Sequence, residues 1–282
     1  MSQPSKRAAS STSGMTDPLR KVLTIAGLDP SGGAGVIADT RAFVAAGVYG
    51  AAVVTALTVQ DTRGVGSVNA VDPDLMAAQL DLLLADIIFD SAKTGMLPTG
   101  EAVSVVADRT DRLGSLVVDP VFISSSGAPL ADQDAIKATV ELLLPACALA
   151  TPNVLEAELI SGASIESAEQ AVEAARSILE LGAGAVCITG GAWTDEPVDV
   201  FLDGSGVRMI RAAGPRLPGD PHGTGCFFSA MAAVCLAQGD GAAAAAEKAA
   251  RTTYRAIAAA VQPGAGNSIP WPLQLEPGPD SD

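Results

Sequence analysis

Histidine occurs once in the 282 residues, aromatic side chains make up 4% of them, and basic residues are outnumbered 17 to 32. The lone His and four cysteines, at 147, 187, 226 and 235, form no CxxC pair and cannot supply a usual zinc-ligand set. A cytoplasmic chain with reduced thiols is therefore expected. The formal charge of -15 excludes a surface built to hold nucleic-acid phosphates, which needs clustered Lys and Arg. An anionic ligand would instead be drawn by backbone N–H groups, a metal ion and a few local cations. No apolar run approaches the length that crosses a bilayer, and the opening MSQPSKRAASSTSGMTDPL lacks the apolar stretch of a secretory signal. No membrane partner is expected.

What is present is 48% hydrophobic residues, ample for a packed core, with Ala and Gly in place of large rings. Short apolar runs alternate with helical patterns. Lys21–Ala26 predicts a buried strand, Gly27–Gly33 a turn, and a helix follows to about Gly47. Ala51–Val59 predicts a second strand, and Pro73–Asp86 a helix with Pro in its first turn. Further on, strands are expected near Ile87–Lys93, Ser115–Asp119, Ala148–Thr151 and Ala185–Thr189, with helices over Glu101–Leu113, Asp132–Leu143 and Ser167–Leu181. Val198–Leu202 and Val207–Arg211 flank Asp203-Gly204-Ser205-Gly206 as a hairpin, and Gly223–Ala237 and Gly241–Val261 read as closing helices. This alternation implies an α/β fold with a mostly parallel sheet, helices on both faces and a ligand beyond the carboxyl ends of the strands. Residues 1–18 read as a disordered tail, 19–265 as one domain and 266–282, rich in Pro, Gly and Asp, as loosely ordered.

Two glycine-rich turns carry chemistry. Gly33-Ala34-Gly35-Val36-Ile37-Ala38 fits the G-x-G-x-x-A dinucleotide fingerprint after a strand, but the acidic residue expected about twenty positions later is missing, Asp61 coming late. A tight turn explains the glycines equally well. Gly223-Thr224-Gly225-Cys226 opens an apolar helix with small residues, leaving first-turn N–H groups free for an anion such as a phosphoryl group in transfer. The alternative is a loop that only lets the helix pack closely.

Taken together, Thr24-Ile25-Ala26-Gly27-Leu28-Asp29-Pro30-Ser31-Gly32-Gly33-Ala34-Gly35 with Ala38-Asp39, then Val54–Val65, Lys93-Thr94-Gly95-Met96-Leu97, Val118-Asp119-Pro120-Val121, Thr151-Pro152-Asn153 and His222–Cys226 resemble the hydroxymethylpyrimidine and phosphomethylpyrimidine kinases of thiamine synthesis. That family is ribokinase-like, and the resemblance spans about Lys21 to Val261. It implies ATP and Mg²⁺ phosphorylating the hydroxymethyl group of a small aminopyrimidine, with a second phosphoryl transfer to the product, in a homodimer. Asp39 and Gln60 would read the ring nitrogens and amine, with Gly27, Met96 and Val121 around the ring. Asn153, Thr189, Gly191 and Lys93 would lie on the ATP side, and Glu156, with Asp119, would hold the metal. Asn153 and Glu156 are equally the pattern of a helix cap.

Gly223, Thr224, Gly225 and Cys226 are the expected catalytic group. Relatives elsewhere in the superfamily have Asp where Cys226 stands, so Cys226, with a pKa lowered at the helix N-terminus, is the candidate general base; a small packing residue is the alternative. His222 is expected to shape the turn. One departure is plain: the family usually has Lys-Gly-Gly where this chain reads Thr189-Gly190-Gly191, which removes a cation and keeps a vitamin B6 kinase open as an alternative, along with a binder of such rings without turnover. Asp220 and Pro221 also depart from the usual polar pair.

Overall fold

The computed structural model describes residues 19–124, 127–191, 197–211, 214–219 and 221–272. Residues 1–18, Ala192, Trp193 and Asp220 lie outside that set. Nine strands form one sheet among the described residues: β1 (Lys21–Leu28), β2 (Tyr49–Asp61), β3 (Gly64–Ala70), β4 (Ser91–Thr94), β5 (Ser115–Val118), β6 (Leu149–Ala150), β7 (Ala185–Gly191), β8 (Val198–Asp203) and β9 (Gly206–Arg211). Their order is β3-β2-β1-β4-β5-β6-β7-β8-β9. The run from β2 to β7 is parallel, and antiparallel strands close both edges. Chain order reverses between β1 and β4, the place where an open parallel sheet offers a crevice.

Helices cover both faces: α1 (Gly35–Ala45), α2 (Pro73–Asp86), α3 (Gly100–Ala107), α4 (Gln133–Ala138), α5 (Val154–Ser161), α6 (Ala168–Glu180), α7 (Thr224–Ala237) and α8 (Ala242–Ala258). One core cluster packs α2 to α6 on one face through Leu23, Ile25, Leu80, Val103 and Ile178; the other packs α1, α7 and α8 through Val22, Phe43, Phe201 and Phe227. Because β1 is buried on both sides, its sequence reads as a continuous apolar run. Each fully buried Leu or Ile contributes about 1.5–3 kcal/mol over leaving it in water.

Several boundaries differ from the expected ones for visible reasons. The helix predicted to reach Leu113 ends at Ala107, where Arg109 Nη1 donates to Val105 O at 2.7 Å and a short 3₁₀ turn follows. The helix over Asp132–Leu143 changes to a wider π turn at Thr139, just before Leu144-Pro145 stops it. Ile87 and Ile88 fall outside β4, Ile87 capping α2. β3, half glycine and small polar residues on an exposed edge, has no apolar alternation to announce it and pairs with β2 as a hairpin.

The segment expected to be loose from 266 is fastened as far as Trp271. Ile269 is buried and pairs with Val261, Gly266 N and Asn267 N donate to Thr62, and Arg41 lies over the Trp271 ring. This strap therefore joins the tip of the β2–β3 hairpin to the body of the domain.

Candidate active site

Most helices begin with a side chain that satisfies first-turn amides: Asp72 for α2, Thr99 for α3, Asp132 for α4, Asn153 for α5 and Ser167 for α6. α7 does not. Its N-cap is Gly223, in the left-handed region at φ 85°, with no side chain to offer. A Cβ there would run into Gly33 O, so only glycine lets the two turns meet. Thr224 Oγ1 donates back to Pro221 O at 2.8 Å, leaving the amides of the first turn pointing forward.

They point into a cavity of about 660 Å³ over the carboxyl ends of the strands. One end, over β1, β2, β4 and β5, holds Gly27, Gln60, Met96 and Val121. The other, over β6 and β7, holds Asn153, Glu156, Thr189 and Gly191. Gly223, Thr224, Gly225, Cys226 and Asp119 also line it. Asn153 and Thr189 are brought side by side by a parallel bridge between their segments.

Two expected contacts are absent from the wall. Asp39 and Lys93 are fully buried beneath it, Lys93 Nζ lying 3.0 Å from Asp39 Oδ2 and 3.6 Å from Asp119 Oδ2. Asp39 sits in the second turn of α1 and faces the sheet, where Thr24 Oγ1 also donates to it at 2.6 Å. Neither reaches a ligand in this arrangement, so the assignment of Asp39 to the ring and of Lys93 to ATP is corrected. Lys93 acts on the site from beneath, through its ion pair with Asp119, which Ser229 Oγ also bonds at 2.7 Å, and through its charge near Cys226.

Burial dominates the electrostatics. It pushes the carboxyls of Asp39 and Asp119 up, and Lys93 only partly offsets this. Burial works against the Lys93 ammonium as well, but Asp39 foremost among its anionic neighbours keeps it charged. Glu156 is pushed well above the usual carboxylate range by burial and then by Asp119. Glu156 also completes a reciprocal cap, Asn153 N donating to its Oε2 at 2.9 Å and Glu156 N to Asn153 Oδ1 at 3.0 Å. The helix-cap reading of this pair is thus realised, with the carboxylate still on the cavity wall.

The thiol of Cys226 departs from expectation. Burial raises it to about 12, Lys93 lowering it only in part while Asp119 and Asp39 add to the rise. The helix N-terminus and one shared ammonium do not compensate the burial of the thiol.

Two residues of the wall were not expected in a ligand site. Asp29 Oδ2 lies 3.1 Å from His222 Nε2, which in turn lies 2.9 Å from the Gln60 amide. Asp29 also accepts from Ser31 N and Ala34 N at 2.8 and 3.0 Å. His222 is therefore a member of the wall and not only a turn residue. The ring has room because position 33 is glycine, where a Cβ would come within 2.6 Å of His222 Cδ2. Asp before Pro in a glycine-rich turn was the available signal for Asp29, and the solitary histidine the signal for its partner.

Among the described residues no group of three His, Cys, Asp or Glu side chains is arranged to hold a metal, and no helix is long and apolar enough to cross a membrane. The chain matches the phosphomethylpyrimidine kinase family over residues 29–271. It is 41% identical over 254 residues to the thiamine biosynthesis bifunctional protein ThiED of Geobacter sulfurreducens, covering 89% of this chain but only 51% of that longer protein. It is 42% identical over 221 residues to the hydroxymethylpyrimidine/phosphomethylpyrimidine kinase of Rhizobium meliloti, covering 77% of this chain and 82% of the relative. Among solved structures, the ADP complex of Bacillus subtilis pyridoxal kinase superposes with a TM-score of 0.83 at 32% identity, over 91% of this chain and 98% of that one. A ribokinase-like sheet, a two-ended cavity bridged by an uncapped helix N-terminus and a family match over most of its length agree: the chain belongs to the phosphomethylpyrimidine kinase family.

Proposed function

We propose that this chain transfers the terminal phosphoryl group of ATP to the hydroxymethyl oxygen of 4-amino-5-hydroxymethyl-2-methylpyrimidine, and then a second one to the monophosphate, in thiamine diphosphate synthesis. The observation that carries this reading is the single cavity with Gln60, Met96, Gly27 and Val121 at one end, Asn153, Thr189 and Gly191 at the other, and the α7 amides between. The acceptor oxygen forms its bond to phosphorus as the bridging bond to the ADP oxygen breaks. The amides of Gly225 and Cys226 are placed to hold the charge on the transferring group, which is where most of the catalysis of phosphoryl transfer lies. With the Cys226 thiol pushed up to about 12, we assign it to fitting beside the cradle, the hydroxyl proton leaving to phosphate or water.

Asp119 and Glu156 suit a hard divalent cation: both are carboxylates on the wall, and beyond burial Asp119 makes the charge on Glu156 costly. Mg²⁺ held there, largely through water, would neutralise nucleotide phosphate charge. The site has no lysine where relatives have Lys-Gly-Gly, which increases the reliance on that cation. We further propose a homodimer in the cytoplasm, a compartment in which its four free cysteines stay reduced.

The test is a panel of the pyrimidine alcohol, its monophosphate, pyridoxine and pyridoxal with Mg-ATP, following ADP release, beside a sedimentation measurement of mass. The pyrimidine alcohol is expected to turn over with the highest kcat/KM. Thr189, with the B. subtilis structure as neighbour, motivates the second reading, a vitamin B6 kinase. Turnover of pyridoxine without turnover of the pyrimidine would transfer the assignment, and tight binding without ADP release would make the chain a binder.

A further inference from the structure

Proton bookkeeping around His222 decides how Gln60 presents itself. Asp29 is held below the usual carboxylate range: burial works to raise it, and hydrogen bonds from His222 and Ser31 more than offset that. Its Oδ2, 3.1 Å from His222 Nε2, is an acceptor, so Nε2 must carry a hydrogen whether the ring is neutral or charged. A nitrogen already bearing that hydrogen cannot accept from the Gln60 amide nitrogen 2.9 Å away, because two donors would face each other.

A half-turn of the amide removes the conflict. Gln60 Oε1 then shares the His222 Nε2 hydrogen with Asp29, and the amide nitrogen faces Thr58 Oγ1. Thr58 has a single hydrogen, and Leu28 O takes it at 2.9 Å, so the contact with Gln60 at 3.3 Å is satisfied only if Thr58 accepts there. The donors now run along one chain, from His222 through Gln60 and Thr58 to Leu28, with Asp29 setting its direction and one hydrogen of the Gln60 amide left over. Partly buried polar groups matched in this way favour one orientation, since reversal would set two donors against each other.

We propose that Asp29 and His222 are positioning residues that lock the Gln60 amide with its oxygen on His222 and its nitrogen on Thr58, so that the amide hydrogen Thr58 does not take is the group this end of the cavity offers to a ring presenting a hydrogen-bond acceptor. The inference rests on the reading of that end as the acceptor-substrate pocket. Nothing in it requires either residue to touch the reacting atoms.

The chain has one histidine, so ¹⁵N-labelled full-length protein gives a single set of imidazole signals. At neutral pH Nε2 is expected to carry a proton; a bare Nε2 overturns the proposal without any variant. His222→Gln keeps a donor at about the same place and His222→Leu removes it. For His222→Leu, KM for the pyrimidine alcohol is expected to rise roughly ten- to a hundredfold and KM for ATP to stay put. His222→Gln should recover most of that loss. An unchanged KM for the pyrimidine alcohol in His222→Leu, or an equal rise in KM for ATP, overturns the proposal. If wild-type protein fails to phosphorylate the pyrimidine, the substrate reading falls, while the imidazole signals still decide the direction of the chain.

Discussion

A thiol beside an ammonium is usually acidic, because a cation at short range favours the anion. Around Cys226 burial has the largest influence, and the neighbouring cation, Lys93, already shared by Asp39 and Asp119, offsets it only in part. A neutral thiol cannot serve as a base at neutral pH, and general-base help is worth 10²–10⁴ in rate where it operates. Cys226→Ala is therefore expected to lower kcat by less than about tenfold, with no thiol limb in the pH–rate profile between about pH 6 and 9; a loss beyond about a hundredfold would restore the thiol as base. Glu156 answers to a different measurement. Glu156→Gln keeps the side-chain length and removes the charge, and the Mg²⁺ concentration for half-maximal rate is expected to rise about tenfold or more. An unchanged Mg²⁺ dependence would leave Glu156 as a helix cap alone.

Two elements meet at the strap. His222 N donates to Ser268 O at 2.8 Å, and Asn267 N to Thr62 O at 2.7 Å, so this one segment grips both the entry to α7 and the hairpin that carries Gln60. Its outer anchor is Trp271 under Arg41, 4.9 Å from the ring centre. Trp271→Ala removes a cation–π contact worth about 0.5–2 kcal/mol. Faster amide exchange at Gly266 and Asn267 is expected, together with a several-fold higher KM for the acceptor; unchanged exchange would mean that the strap is held by Ile269. The strap also marks what could be read in advance. Strands buried on both faces and helices opened by Asp, Ser or Thr state their structure locally, and β1, α2 and α6 follow from their residues. β3 is short of apolar alternation, and residues 266–271 are held by Val261, Thr62, Arg41 and Ala256, so neither stretch carried a local sign of its structure. At the site, Gly27, Gly223, Thr224 and Gly225, read as turn residues, line one cavity. Asp39 does not, because the face of α1 on which it lies is set by packing on the sheet. Asp29 and His222, 193 positions apart, are joined by the fold alone.

Across the whole molecule, burial of thiols sets a limit on alkaline conditions. Cys147, Cys187 and Cys235 are each 5% exposed or less. Burial pushes Cys147 up to about 12 and Cys235 up to about 11, and drives Cys187 in the same direction. The sign follows from where the proton resides. Below about pH 9 folded and unfolded chains are both protonated at these thiols and stability is unaffected. Above it the unfolded chain sheds protons that the folded one keeps, so stability is lost as pH rises toward the folded values. Each thiol costs up to about 1.4 kcal/mol per pH unit in that window. The urea midpoint is expected to fall steeply between about pH 9 and 11, and less steeply in a Cys147→Ala, Cys235→Ala double variant. Equal slopes would assign the alkaline loss to other groups.

Lys93 has a consequence at the same scale. Its ammonium is fully buried between Asp39 and Asp119 and held in the charged form, whereas acylating reagents attack neutral amines that they can reach. Exposing it means parting β4 from α1 and α7. Amine-reactive labelling at Lys93, read by mass against the surface lysines Lys137 and Lys248, thus becomes a clock for the rare opening of the entire domain, ticking at the same place where the phosphoryl cradle is supported from below.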